Sequence, residues 1–350
     1  METISFARGV PAPECLPEEE LADCARTVIA REGKSLLSYG PSAGHTPLRA
    51  LIAEWFGVHP YRVLLTNGSL QGLWLLAKRY GRGYGVVVEW PSYDRALKVL
   101  LESGASLLAV VVDDEGMNID DLDSVLMGQA RPGFAYTIPT FQNPTGRTMP
   151  HERRSRLVQS LGRREVMIVE DDPYALIRFD GEPVSSIFDY AGKNSIYMSS
   201  FSKTIAPGLR VGFMILPESA ADDLAEDASA TYITPSLVSQ AIVHEFISRG
   251  SFEPNLRRTN ELLRLRRDAM LAALEKHFSG AKWTRPEGGY FVWLEAPLGT
   301  NFNEVLARAE GVTAVAGSEF SAAASAVRLA YSYAAPDEIE AGVERLAAAM

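Results

Sequence analysis

The run Ser199-Ser200-Phe201-Ser202-Lys203-Thr204-Ile205-Ala206-Pro207-Gly208-Leu209-Arg210 follows an apolar stretch, Ile196 to Met198. A strand that ends in serines, then a lysine, a Pro-Gly break and an arginine, has the parts needed to hold a phosphorylated aldehyde. The amine can form a Schiff base, while hydroxyls and a guanidinium hold the phosphate. Taken alone, the same segment also reads as a surface loop with a solvated lysine. The rest of the chain decides between these readings.

Upstream and downstream of this run, short apolar segments alternate with amphipathic ones. Gly85–Glu89, Leu107–Val112, Phe134–Ile138, Val166–Glu170, Ser195–Ser199 and Val211–Leu216 read as strands. Helical patterns lie at Ser69–Lys78, Tyr93–Leu101, Ile119–Met127 and Glu152–Leu161. Continuous apolar strands separated by helices predict an α/β fold with a largely parallel sheet covered on both faces. From about Pro254 the character changes to a long charged helix reaching His277, then Tyr290–Leu294, Val327–Tyr331 and a terminal helix from Pro336. The expected division is a large domain over 36–250 and a small α+β domain over 251–350, to which the segment 1–35 contributes.

The bulk properties narrow the function. The 350 residues are 47% hydrophobic and 22% charged, as in an ordinary globular protein, and the net charge is -10. That balance argues against a nucleic-acid partner, and no long uncharged apolar run suggests a membrane span. The start, Met-Glu-Thr-Ile, lacks the basic opening of a signal peptide. Cys15 and Cys24 have no metal or redox spacing, so no metal is expected and the location reads as cytoplasmic.

In a parallel α/β sheet, ligands sit beyond the carboxyl ends of the strands. Three such ends are rich in polar groups: Pro139-Thr140-Phe141-Gln142-Asn143-Pro144-Thr145-Gly146, Glu170-Asp171-Asp172-Pro173-Tyr174, and the Lys203 run. A pyridoxal ring needs a carboxylate at its nitrogen, for which Asp171 is the candidate, although Asp is equally at home as a turn cap. Asn143 and Tyr174 can donate to the ring oxygen, though Asn143-Pro144-Thr145-Gly146 is also a plain turn signature. Thr66-Asn67-Gly68-Ser69 opens a helix whose free N–H groups suit a phosphate, with Ser69 as the expected cap. Tyr93 can stack on the ring or simply pack.

Together these runs resemble the fold-type I, class I/II pyridoxal-phosphate aminotransferases, in the group that holds 2-aminoadipate and multisubstrate aromatic enzymes. The matching runs are Phe6–Pro11, Tyr39–Leu51, Thr66–Gln71, Glu89–Tyr93, Pro139–Gly146, Glu170–Tyr174, Ser200–Gly212, Thr284–Trp293 and Arg328–Ser332. The resemblance implies a mixed, mostly parallel seven-stranded sheet between helices, with pyridoxal 5'-phosphate as cofactor. It makes Lys203 the Schiff-base lysine and proton shuttle, pairs Asp171 with the pyridinium, and sets Asn143 and Tyr174 at the ring oxygen and Tyr93 over the ring. Gly68, Ser69, Leu70 (through its backbone), Ser200, Ser202 and Arg210 would surround the phosphate. Arg328 would clamp the substrate α-carboxylate, although alone it reads as a strand-edge charge. Tyr39 would reach the phosphate of a partner subunit, which implies a homodimer with shared sites.

The chain departs from that family's pattern at three places. Leu70 stands where the family usually has Gln. Arg8 replaces the first glycine of a Gly-Gly pair, next to the retained Gly9, and would enter the substrate opening. The chain also begins only a few residues before this segment, where relatives often carry an N-terminal arm over the substrate.

The implied reaction moves an amino group between an L-amino acid and a 2-oxo acid in ping-pong fashion. The same residues also suit a lyase, cyclase or oxidase acting on an amino acid. A sensor domain of a transcription regulator would carry a DNA-binding domain that this sequence does not show. Ser200-Phe201-Ser202-Lys203 also fits Ser-x-x-Lys, but Pro207-Gly208 breaks the helix that chemistry needs. Gly81-Arg82-Gly83-Tyr84-Gly85 precedes a strand, opposite to a dinucleotide site.

Overall fold

A computed structural model of the chain describes residues 3–128 and 132–350. Its centre is one sheet whose strands lie in the order Val63–Thr66, Gly212–Ile215, Ser195–Ser200, Ile168–Asp171, Phe134–Thr137, Gly85–Trp90, Ser106–Asp113 and Gly116–Met117. The seven expected strands are all present, and the eighth is a two-residue hairpin return at the edge, Gly116–Met117, antiparallel to its neighbour. Gly212–Ile215 also runs against both its neighbours, whereas the pairings from Ser195–Ser200 across to Ser106–Asp113 are parallel.

The pleat explains why central strands are apolar throughout. Val86 and Val88 face a cluster with Leu73, Leu97 and Met198, whereas Val87 between them faces Leu157, Leu161 and Ile168. Each face is covered by helices, so alternation of polar and apolar residues disappears. The expected helix at 119–127 is found as Ile119–Met127, capped by Asn118, whose side chain accepts from Asp121 N at 3.0 Å. The helix expected at 69–78 is Ser69–Leu76, and its last turn widens into a π turn, Ala77–Gly81.

The C-terminal part builds a separate antiparallel sheet, ordered Lys282–Trp283, Phe291–Glu295, Ala326–Ala330 and Val315–Ala316. The helices Phe252–His277 and Pro336–Ala348 pack on each other beside it. The N-terminal residues touch both bodies. Ile4–Ser5 pairs in parallel with Val312–Thr313, while the helix Glu18–Leu36 lies along Leu237–Ser248 and joins it through Arg31 and Glu245 at 2.9 Å. Ala7, Arg8 and Gly9 are thereby strung across the mouth between the two sheets.

Candidate active site

Beyond the carboxyl ends of the central strands lies a cavity of about 800 Å³. It is lined by Arg8, Gly9, Gly68, Ser69, Leu70, Tyr93, Asn143, Asp171, Tyr174, Ser200, Ser202, Lys203, Arg210 and Arg328. Every candidate named from the sequence is there except Tyr39, which is 79% exposed and lines no part of it. A slightly larger cavity, about 850 Å³, opens near Arg147 and Trp283, but its arginines are already paired. Arg147 binds Asp114, and Arg285 binds Glu275.

Three consecutive carboxylates show how the strand sorts its side chains. Glu170 and Asp172 face the buried Arg154, and Glu170 also accepts from the N–H groups of Ile187 and Phe188, both at 2.9 Å. Asp171, between them, points the other way, into the cavity. Its Oδ2 accepts from the Tyr136 hydroxyl at 2.8 Å, while its Oδ1 is buried with no partner. Burial pushes Asp171 up to about 7, opposed by the Tyr136 bond and reinforced by the Asp172 charge. A buried acceptor left open in this way is the complement of a cationic ring N–H.

Lys203 approaches from the next strand end. Its amine donates to Gly9 O at 2.6 Å and lies 5.6 Å and 5.3 Å from the ring centroids of Tyr174 and Tyr290. The Tyr290 hydroxyl donates to the Lys203 carbonyl at 3.0 Å. Burial lowers the ammonium to about 8, helped by the charges of Arg328, Arg210 and Arg95 and opposed by Asp171. An amine so placed is a ready nucleophile and base near neutral pH. Burial likewise raises the hydroxyls of Tyr174 and Tyr93.

The anion corner depends on two glycines. Gly68 has φ +93°, and a Cβ there would lie 2.4 Å from Arg210 Nη2, while a Cβ on Gly212 would lie 2.5 Å from the Ser69 nitrogen. Gly68, rather than the expected Ser69, is the N-cap of Ser69–Leu76. The left-handed turn there starts the helix one residue earlier, and Ser69 takes the first helical position without a cap bond. The first N–H groups, including those of Ser69 and Leu70, therefore open on the cavity. Ser200 Oγ donates to Ser202 Oγ at 2.7 Å, and Arg210 is held by Asn67 O at 3.2 Å.

Arg328 is 7% exposed, with Cζ 4.4 Å over Phe291 and 4.8 Å from the Phe320 ring. It donates through Nη1 to Asn143 Oδ1 and through Nη2 to Ala7 O, both at 2.9 Å, and its buried Nε has no partner. Arg8 is exposed at the mouth, its guanidinium 5.4 Å over the Tyr333 ring. Gly9 is required by crowding, because a Cβ there would meet the Phe291 ring at 2.6 Å. Sequence reasoning missed Tyr136, Glu89, Gln142 and Tyr290. Each looks like an ordinary strand or loop residue until its distant partner is known.

The donor set fits pyridoxal phosphate. It offers an amine of lowered basicity, an open buried carboxylate oxygen and a glycine-lined helix start beside an arginine. A pyridoxal-phosphate enzyme of the fold-type I aminotransferase class is what this fold and site define, and the chain belongs to the family of class I and II aminotransferases, whose model matches residues 5–346. It is 38% identical to the 2-aminoadipate transaminase of Thermus thermophilus over 99% of this chain and 90% of that protein. It is 36% identical to aromatic-amino-acid aminotransferase 1 of Thermococcus litoralis, over 99% and 87% of the two chains. Among solved structures it is similar to the alpha-aminoadipate aminotransferase LysN of Thermus thermophilus, crystallised with N-(5'-phosphopyridoxyl)-L-leucine. That match has a TM-score of 0.94 and 38% identity, covering 99% of this chain and 92% of the other. The chain is an aminotransferase that uses pyridoxal phosphate.

Proposed function

We propose that this enzyme moves the amino group of an L-amino acid to a 2-oxo acid in two half-reactions at the one cavity. The observation that carries this is the open Oδ1 of Asp171 facing the same space as the Lys203 amine. When bound, the pyridoxal group supplies an electrophilic aldehyde and a ring that accepts electrons from the substrate Cα. Asp171 holds a proton at the ring nitrogen. Lys203 would anchor the aldehyde covalently, and its free amine would carry the proton from Cα. Its lowered basicity leaves a useful neutral fraction near pH 8.

The remaining residues bind and orient. Arg328 takes the α-carboxylate, for which its unpartnered Nε is available. Asn143 and Tyr174 serve the ring oxygen, and Tyr93 covers the ring face. Gly68, Ser69, Leu70, Ser200, Ser202 and Arg210 receive the phosphate. Arg8 and Gly9 form the substrate opening, where Arg8 meets the distal group of the amino acid.

A homodimer with shared sites belongs to the same reading. Tyr39 and Leu37 are 79% and 72% exposed, large side chains in a segment that a second copy would cover. A cytoplasmic location is supported by two buried unpaired cysteines, and the acidic balance supports the absence of a nucleic-acid partner.

The test is direct. Reconstitution with pyridoxal phosphate should give a visible absorbance that depends on Lys203. An amino donor alone should remove it in a single turnover, and a 2-oxo acid should restore it. Release of ammonia and keto acid without an acceptor would instead favour a lyase or oxidase. A size-exclusion mass near that of one 38.2 kDa chain would overturn the dimer.

A further inference from the structure

Gln142 and Glu89 bind no part of the cavity, yet they join the two loops that hold its walls. Glu89 is the penultimate residue of Gly85–Trp90 and is 1% exposed. Its Oε1 accepts from Thr137 Oγ1 at 2.5 Å, and its Oε2 accepts from Ile138 N at 3.2 Å and Gln142 Nε2 at 3.1 Å. Burial pushes this carboxyl up to about 7, against those three donated bonds.

The Gln142 amide is 2% exposed and uses its full bonding capacity. Nε2 donates to Glu89 and also to Pro91 O at 2.9 Å, two residues before Tyr93. Oε1 accepts from Thr145 N at 2.9 Å and Thr145 Oγ1 at 2.8 Å, two residues after Asn143. One amide therefore ties the exit of one strand to the loop beyond its neighbour. No other side chain of this size offers two donors at one end and two acceptor sites at the other.

We propose that Gln142, anchored on Glu89, is a positioning residue that sets the Asn143 side chain, and with it the Tyr93 loop, against the cofactor ring. This rests on the assignment of the cavity under Proposed function. Arg328 orients the Asn143 amide by occupying Oδ1, which turns Nδ2 toward the cavity. Arg328 touches only the Asn143 side chain, whereas Gln142, the preceding residue, ties down the loop that carries Asn143 through Thr145. A bond donated by Nδ2 to the ring oxygen stabilises negative charge there and so lowers the pH at which the lysine-bound cofactor loses its proton.

The experiment is a pH titration of the Lys203-dependent visible band in the holoenzyme, with thermal melting to confirm folding. Asn143→Ala and Gln142→Leu should each raise the midpoint by roughly one pH unit, the scale of one hydrogen bond. The double variant should go no further than Asn143→Ala. Glu89→Gln keeps the shape, and Thr137 can reverse its hydroxyl to accept, so it should fold and show a smaller upward shift that is absent on the Asn143→Ala background. The inference is overturned if neither Gln142→Leu nor Glu89→Gln moves the midpoint, or if either moves it equally with Asn143 absent. A Gln142→Leu chain that does not fold leaves the Glu89→Gln pair to decide by the same two criteria. A wild-type holoenzyme with no Lys203-dependent band defeats the proposed function itself, and this inference with it.

Discussion

Arg328 Nη1 lies 2.9 Å from Asn143 Oδ1, a bond that spans 185 residues of sequence and joins the C-terminal sheet to a strand-end loop of the large one. It fixes two directions together. The guanidinium plane is held by Asn143, Ala7 O and the rings of Phe291 and Phe320, and the Asn143 amide is left with its NH₂ end free. A substrate carboxylate and a cofactor ring bound as proposed would thus meet groups whose orientations depend on each other.

Arg328→Lys should keep the charge and lose the planar fork. An ammonium cannot reach Asn143, Ala7 and a carboxylate at once. The expected outcome is a fall in kcat/KM of roughly 10–100-fold, carried mainly by KM, as suits the loss of a charge-assisted bond pair. Steady-state kinetics with one amino donor would check it.

Lys203→Ala should abolish the visible band and lower turnover by roughly 10⁴-fold, since anchor and proton carrier vanish together. Absorbance of the reconstituted protein and single-turnover mixing test this independently of acceptor choice.

Asp171→Asn should change the pH dependence of stability in the cofactor-free protein. The native carboxyl is raised from 3.8 to about 7, so its favourable contribution is complete below about 4 and is lost as pH rises through about 7. The amide keeps the Tyr136 bond and does not titrate. Denaturant unfolding should therefore show the variant gaining on the wild type between about pH 4 and 7, by no more than about 4 kcal/mol. The same variant should bind pyridoxal phosphate less tightly, because an amide cannot pair with a cationic ring nitrogen.

Gly68→Ala should damage the anion corner. The residue sits at φ +93° and its Cβ would press on Arg210. Strain on the order of 1–3 kcal/mol predicts a cofactor affinity weaker by roughly 5- to 150-fold, measurable by titrating the apoenzyme.

Arg8→Gly removes an exposed charge at the mouth of the cavity. Arg8 forms no ion pair among the described residues, so its charge is free for the substrate's distal group. Relative kcat/KM for acidic against aromatic donors should fall by roughly fivefold, the range of an exposed charge contact. An unchanged ratio would remove Arg8 from substrate selection.

The sequence carried much of this site because its groups sit at strand ends, where apolar runs stop and polar residues stand out. Asp171, Asn143 and Lys203 were legible for that reason, and the helix Ile119–Met127 was legible from its period. Glu89, Gln142, Tyr136 and Tyr290 were not. Gln142 looks like one more polar turn residue, and Glu89 like a charge at the edge of a strand. Their meaning lies in partners 35 to 87 residues away.

By itself, then, the sequence determined the inventory: a lysine, an aspartate and an asparagine at three strand ends, a glycine-marked helix start, and an arginine in a later strand. Tertiary structure alone decided how they meet. Pleat and pairing left Asp171 with an open oxygen in the cavity while its two neighbours turned to Arg154. The N-terminal strand carried Gly9 to the Lys203 amine, and Gln142 closed on Glu89. Such contacts depend on strand register and sheet order, which follow from packing the whole core rather than from any local preference.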